Sequence, residues 1–450
     1  MEGNMLPNGF LERMKRLLGE DYEDFLASYE RPRNTGLRMN PLKGEAPKLS
    51  FCEERVAWAE NGYYLQVEAR PGLNPLHDAG VYYLQEPSAM APATLLDAQP
   101  GEIVLDLCAA PGGKTTQIAA AMCSEGLLIC NEIHPKRAKI LSSNIERMGI
   151  SNALVLNEHP AKLAERFPSY FDRILVDAPC SGEGMFRKED AAVNDWSEET
   201  VKMCAARQTE ILNSAAQMLA PNGRLVYSTC TFAPEENEGV IAQFLEHHPD
   251  FIVERVEAPW FSCGRPDWIE ASAQGIEHTF RLLPHKLRGE GHFAAVLRRS
   301  QTGQRHEPAL QETVALPPAI REFMQLNQIF MPQQAVAFGD TCYLAPKGLP
   351  KLNGMKVLRV GLELGEVRKS RFVPSHALAL WLKEFPNMAN FASDSYEISA
   401  YLQGQTLNAD FRGWTLVCVD GYSLGWAKGA DGVLKNHYPK GLRRSNAKNN

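Results

Sequence analysis

Ten cysteines are spread over the 450 residues without a single Cys-x-x-Cys pair or any regular spacing. That excludes a zinc ribbon and a disulfide framework, and reduced thiols in the cytoplasm are the economical expectation. No run of ~18 apolar residues exists to cross a bilayer, so no membrane partner is expected. The opening residues, Met1 to Pro7, lack a basic stretch followed by an apolar core, so no signal peptide is expected either. Positive charge is also scarce: 47 Lys and Arg against 54 Asp and Glu give a net charge of −7. A uniformly basic nucleic-acid binder is excluded, and an RNA partner would need local basic faces on an acidic body. With 44% hydrophobic and 22% charged residues, the composition is that of a globular chain with more than one domain.

Two nucleotide signatures are present only in part. There is no Gly-x-Gly-x-x-Gly, so no pyrophosphate turn is predicted. Gly113-Lys114-Thr115 would close a phosphate-binding P-loop, but Cys108 stands where its first glycine belongs. What remains is Cys108-Ala109-Ala110-Pro111-Gly112-Gly113-Lys114, a tight turn between a strand over 103–107 and a helix over 114–122. Glu132 follows Gly112 by 20 residues, at the end of the next strand, where ribose hydroxyls are held in dinucleotide folds. A cofactor with a ribose and no pyrophosphate fits, and S-adenosylmethionine is the candidate.

Around this turn, strands over 103–107, 126–132, 154–156, 173–176 and 224–228 alternate with helices over 114–122, 135–148, 161–167, 198–219 and 234–248. A last strand is read over 293–297. The alternation predicts an α/β fold with a doubly wound, mainly parallel sheet. Ligands bind beyond the carboxyl ends of such strands. Two chemistry-bearing stretches fall there: Asp177-Ala178-Pro179-Cys180-Ser181-Gly182-Glu183-Gly184, after a buried apolar run, and Ser228-Thr229-Cys230-Thr231. An acid and two cysteines on neighbouring strand ends would make a reaction centre.

The flanks say less. Two short amphipathic helices are predicted over 10–18 and 22–29, as an accessory domain or as packing for the chain beyond them. Near them Arg31, Arg33 and Arg38 suit phosphate contact or plain solvation. Lys286, Arg288, Arg298 and Arg299 form a local basic cluster open to the same two readings. Cys52, Cys123, Cys130, Cys204, Cys263, Cys342 and Cys418 are expected to pack as small hydrophobes. Residues 300–308 read as a linker, followed by a second unit over 310–450. Its basic tail, 435–444, encloses Tyr438, which suits RNA backbone contact with stacking or a solvated end.

Taken together, these stretches with Gln85-Glu86-Pro87-Ser88-Ala89-Met90, Arg281-Leu282-Leu283-Pro284-His285 and Gly289-Glu290-Gly291-His292-Phe293 resemble the RsmF type of RNA cytosine-C5 methyltransferase, in the wider RsmB/RsmF/Nop/Sun group. The catalytic resemblance spans about 30–300. The C-terminal part is similar to the RsmF-specific extension, with a PUA-like end around Gly425-Trp426-Ala427-Lys428-Gly429. The resemblance implies an N-terminal accessory region over 1–70, a Rossmann-like methyltransferase domain over 71–300, a smaller α+β subdomain over 310–390 and a PUA-like RNA-binding domain over 391–450. It implies that Cys108, Ala109, Ala110, Pro111, Gly112, Gly113, Lys114, Glu132, Arg137 and Asp177 hold S-adenosylmethionine or border its site, with no metal. Cys230 would be the nucleophile on the cytosine ring, Asp177 would bond the ring edge, and Cys180 would assist loss of the C5 proton or release of the adduct. The rival assignment makes Cys180 the nucleophile, as in DNA cytosine-C5 methyltransferases. One position departs from the family. Where an acid after the third strand often meets adenine, this chain has Asn157-Glu158-His159, with the slot at His159. The implied partner is small-subunit ribosomal RNA or the subunit particle. The alternatives are a transfer RNA methyltransferase and a non-catalytic RNA-binding assembly factor.

Overall fold

The computed structural model describes residues 6–271, 273–332 and 334–445. Residues 1–5, read above for a leader, and 446–450 lie outside the described residues.

Four strands form the N-terminal sheet: β1 (Gly36–Met39), β2 (Cys52–Arg55), β3 (Gly62–Leu65) and β4 (Tyr82–Leu84), in the order β2-β3-β1-β4 and all antiparallel. This sheet runs past the boundary expected at 70. Pairing of β4 with β1 across more than forty residues leaves no mark in local periodicity.

The central sheet has ten strands. Its middle is β5 (Ile103–Asp106), β6 (Leu127–Asn131), β7 (Ala153–Leu156), β8 (Phe171–Asp177) and β9 (Leu219–Thr229), all parallel, in the order β7-β6-β5-β8-β9. Apolar residues alternate between its two faces, as the strand period demands. Leu105, Ile129, Ile174 and Leu225 enter one core, while Val104, Leu128, Leu175 and Val226 enter the other. Helices Gly113–Ala121, Pro135–Arg147, Pro160–Arg166, Glu198–Met218 and Glu238–His247 connect and cover it. The flanks are antiparallel, so the sheet is mixed rather than mainly parallel. β10 (Phe251–Val253), β11 (Ser262–Cys263), β12 (Phe280–Leu282) and β13 (His292–Arg299) extend one side, with β13 against β9.

The opposite edge holds the main surprise. The remaining strands are β14 (Val314–Ala315), β15 (Gln334–Phe338), β16 (Thr341–Leu344), β17 (Val357–Val360), β18 (Leu362–Arg368), β19 (Arg371–Pro374), β20 (Met388–Phe391), β21 (Leu407–Asn408), β22 (Gly413–Val419), β23 (Tyr422–Ala430) and β24 (Val433–Asn436). Two five-stranded sheets use ten of them, in the orders β14-β15-β16-β18-β19 and β20-β22-β23-β24-β21. β17 instead pairs antiparallel with β7 and completes the central sheet. Leu349, Leu352 and Val360 join its core.

The cores interlock in the same way elsewhere. Leu37, Met39 and Tyr82 pack with Ile398 and Tyr401 of helix Tyr396–Leu402 and with Val417 of the last sheet. Phe10 and Phe25 of helices Asn8–Leu18 and Tyr22–Ser28 pack with Phe186 and Phe232. Phe10 meets the Phe186 ring edge-on at 5.0 Å, and Phe25 meets Phe232 at 5.4 Å. Since Phe186 and Phe232 follow the two cysteine stretches, the N-terminal helices act as packing for those loops.

Candidate active site

The chain order reverses at β5: β6 and β7 build one way from it, β8 and β9 the other. A crevice therefore opens at the carboxyl ends of β5 and β8, the switch point where α/β sheets take ligands. The turn from Cys108 to Gly112 lines one wall. Gly112 has φ of +115°, which an L side chain adopts only with strain. Asn144 Nδ2 donates to the Pro111 carbonyl at 2.9 Å, and Arg137 Nη2 donates to that of Ala110 at 2.7 Å. Arg38, considered above for phosphate contact, is 2% exposed. It donates instead to Gly113 O at 2.9 Å, Thr116 Oγ1 at 2.6 Å and Gln85 Oε1 at 3.2 Å, fixing the start of the following helix. Beneath the turn Asp106 accepts from Thr115 Oγ1 at 2.6 Å, and burial pushes its carboxyl up to about 7. Burial likewise raises the Cys108 thiol, which leaves that position to act through its backbone.

Glu132 closes the nucleotide side. It is 3% exposed, with one oxygen taking the His134 amide at 2.9 Å and the other 3.4 Å from Arg137 Nη1. Asn157, buried, donates to the Glu132 and Ile133 carbonyls at 2.7 and 2.8 Å, so it shapes the wall. Glu158 is turned to Lys162 and the Lys356 amide, and exposed His159 caps the next helix.

On the other wall, strand register brings the reacting groups together. Asp177 stands opposite Ser228 across β8 and β9, and β13 begins beside them at His292. Ser228 Oγ donates to Asp177 Oδ1 at 2.8 Å, and Lys114 Nζ donates to Oδ2 at 2.7 Å. His292 Nε2 lies 3.5 Å from Oδ1, beyond good hydrogen-bond distance. Burial would lift the Asp177 carboxyl. The Lys114 charge, with the contacts from His292 and Lys114, outweighs burial and holds the group well below the usual carboxylate range. Lys114 is raised in return: burial would lower it, but Asp177 more than offsets that. Lys114 thus serves the acid of the crevice, whereas the sequence grouped it with the cofactor turn. His292 was missed as a site residue, although the Gly-Glu-Gly-His stretch carried it. It starts an antiparallel strand, while the stretches legible as a reaction centre sit at the ends of parallel ones.

Cys180 Sγ and Cys230 Sγ are 3.3 Å apart, both partly exposed. A hydrogen bond to Cys230 raises the Cys180 thiol well above its ordinary value, and burial adds to this. Each loop is locked from behind. Buried Glu236 accepts from Ser181 N at 3.0 Å, from Ser181 Oγ, and from Gln208 Nε2 at 2.7 Å. Glu183 accepts from the Phe232 amide at 2.9 Å, Trp196 Nε1 at 2.8 Å and Arg13 Nη2. Gly184 N donates to Cys230 O at 2.8 Å, and a Cβ there would stand 2.9 Å from Gly291 O and 3.0 Å from Cys230 O. Glycine is required by that close approach.

Arg281 is 1% exposed, reaches the Phe232 carbonyl at 2.9 Å and grips Glu238, which is 0% exposed, with Nε to Oε1 at 2.7 Å. Arg281→Ala would leave that carboxylate buried and unpaired, at an expected cost of ~3–5 kcal/mol in urea unfolding. The double variant Arg281→Ala/Glu238→Ala should cost less than Arg281→Ala alone, because no charge is stranded.

Other expectations fall away. Arg298 and Arg299 lie at the far end of β13, paired with Glu254 and Asp250. Lys286 pairs with Asp21, and Arg288 with Glu53 and Glu54, so no basic cluster forms. Tyr438 is 3% exposed and packs on Tyr401, so it offers no stacking face. Cys123 and Cys263 are exposed. Among the described residues no group of His, Cys, Asp and Glu is placed to hold a metal ion, and no helix is long and apolar enough to cross a membrane.

The crevice offers a carboxylate for a ribose and a glycine turn, with no phosphate cradle on the way to the thiols. That donor set fits S-adenosylmethionine, and fold and site together define an S-adenosylmethionine-dependent methyltransferase. Family models narrow the class. The model for 16S rRNA methyltransferase RsmB/F matches residues 93–298, and that for the N-terminal domain of RsmF matches 6–87. The RsmF first C-terminal domain matches 322–382, and the RsmF PUA domain 389–444. The ribosomal RNA small subunit methyltransferase F of Erwinia tasmaniensis is 31% identical, covering 97% of this chain and 97% of its own. That of Escherichia coli K12 is 31% identical, over 97% and 96%. A crystal structure of a methyltransferase homologue from Pyrococcus horikoshii, 31% identical, superposes with a TM-score of 0.58 over 64% of this chain and 94% of that one. The chain belongs to the RsmF family of 16S ribosomal RNA methyltransferases.

Proposed function

We propose that this chain methylates carbon 5 of a cytosine in small-subunit ribosomal RNA, through a covalent bond between Cys230 and the base. The observation that carries the reading is the pair of thiols 3.3 Å apart beside an ionised Asp177. Carbon 5 of cytosine is a poor nucleophile, and thiolate addition at carbon 6 turns it into an enamine carbon that can attack. S-adenosylmethionine supplies the electrophilic methyl group. Asp177, kept ionised, accepts from the Watson–Crick edge and favours a proton at N3 while charge builds there. Cys180 Sγ, 3.3 Å from Cys230 Sγ, stands where it can serve loss of the C5 proton and elimination of the thioether. The target base must leave its stack to reach either sulfur.

Methyl transfer from labelled S-adenosylmethionine to small-subunit rRNA and to bulk tRNA tests this, with hydrolysis of the product to identify 5-methylcytidine. Label in rRNA as 5-methylcytidine is expected. Label in tRNA alone would move the substrate, and label on another base would sink the mechanism.

A further inference from the structure

A cavity of about 330 Å³ lies between the arm that follows helix Tyr22–Ser28 and the turn that follows β12. It belongs to neither the cofactor crevice nor the thiol pair. Four arginines line it: Arg31, Arg33, Arg187 and Arg288. Two are already paired within the protein. Arg187 Nε is bound to Glu290 at 2.7 Å, and Arg288 pairs with Glu53 and Glu54. Arg31 and Arg33 are exposed, and neither has an ion-pair partner among the described residues. Pro32 between them disfavours a helical Arg31, so the two side chains are held on an extended segment instead of folding back. Two unneutralised guanidinium groups on an acidic protein are a fixed positive focus. The cavity also has an apolar side, including Leu287 and Val67, the latter 73% exposed.

A cationic rim over an apolar floor suits a ligand with a phosphate at one end and a flat base at the other. We infer that this cavity takes one unpaired nucleotide of the RNA strand beyond the target base, its phosphate on Arg31 and Arg33 and its base against Val67 and Leu287. The inference rests on the RNA-methylating reading above. Geometry links the cavity to the thiols. Asn34 N and Arg187 Nε, both in the cavity wall, hold the two oxygens of Glu290 at 3.0 and 2.7 Å. The next residue, Gly291, packs on Gly184, whose amide is bonded to Cys230 O. Loading the cavity therefore presses on the same backbone that positions the nucleophile. A guanidinium plane is one of the platforms on which unpaired bases stack, with phosphate contacts beside it.

The test uses the full chain and transcribed small-subunit rRNA, with affinity measured across a range of salt. Arg31→Gln/Arg33→Gln should weaken binding about tenfold or more near physiological salt. It should also lower the slope of log affinity against log salt by roughly 0.7, the value for one phosphate on a single strand. Val67→Ser should weaken binding severalfold with the slope unchanged, reporting the base. Arg321→Gln/Arg371→Gln, which removes the same charge from exposed positions elsewhere, should change neither. Cofactor affinity by calorimetry and the thermal melt should match wild type throughout. A wild-type enzyme that methylates rRNA beside an Arg31→Gln/Arg33→Gln variant with unchanged affinity and slope overturns the cavity assignment alone. A wild type that neither binds nor methylates rRNA overturns the functional reading and the cavity with it.

Discussion

Cys230→Ala is expected to lose methyl transfer by on the order of 10⁴-fold or more, and to leave no protein–RNA adduct on a denaturing gel. Cys180→Ala should lose turnover yet accumulate the adduct. The asymmetry follows from the roles proposed above, Cys230 attacking carbon 6 and Cys180, 3.3 Å away, serving elimination. The hydrogen bond shared with Cys230, and then burial, raises the Cys180 thiol, which disfavours Cys180 as the attacking thiolate. Cys180→Ser, which keeps a donor, should form adduct faster than Cys180→Ala. Adduct retained by Cys230→Ala and abolished by Cys180→Ala would reverse the two roles.

Removal of residues 310–450 should be nearly as damaging, and the loss should reach cofactor binding. β17 covers the edge of β7, and its backbone continues the ladder: Asn157 N donates to Lys356 O at 2.9 Å, and Lys356 N donates to Glu158 Oε1 at 2.7 Å. Asn157 is the residue that braces the Glu132 and Ile133 carbonyls. Arg359 adds a grip on Ser142 at 3.1 Å and on Glu146, both on the helix behind the glycine turn. Truncation would expose an unpaired strand edge together with the Leu154 and Leu156 side of the core. The truncated chain is expected to melt many degrees lower, with S-adenosylmethionine binding weakened tenfold or more by calorimetry. A soluble, folded truncation with wild-type cofactor affinity would disprove the coupling. A purely sequential division of the chain, with a detachable C-terminal unit, leads to the opposite expectation.

The strand that ties this unit to the central sheet escapes a reading of the sequence for a physical reason. The central helices and strands were legible because their periodicity is local: Leu-Val-Leu runs for the strands and an apolar stripe on helix Glu198–Met218. Asp177, Cys180 and Cys230 were legible because each ends a parallel strand or follows one directly. Pairing between distant segments leaves no periodic trace, so β4, β17 and β10 to β12 were not placed, and β13 was read as a strand without its antiparallel pairing. Arg38 misled for another reason. As a residue type arginine is usually exposed, and only the Gly113, Thr116 and Gln85 acceptors around it make burial tolerable. Tyr438 lay in a basic tail, but its ring packs on Tyr401, and Arg443 and Arg444 of that tail turn back onto Tyr438 O and Asp78.

The late strand has a consequence for how the enzyme is made. β17 reaches the ribosome exit about 200 residues after β7, its partner in the sheet. At a synthesis rate of ~5–20 residues per second, the nascent sheet waits roughly 10–40 s with that edge bare. The nucleotide wall braced by Asn157 is finished only when the PUA-side half of the chain begins to emerge. Newly made enzyme therefore gains a complete cofactor crevice only late in translation.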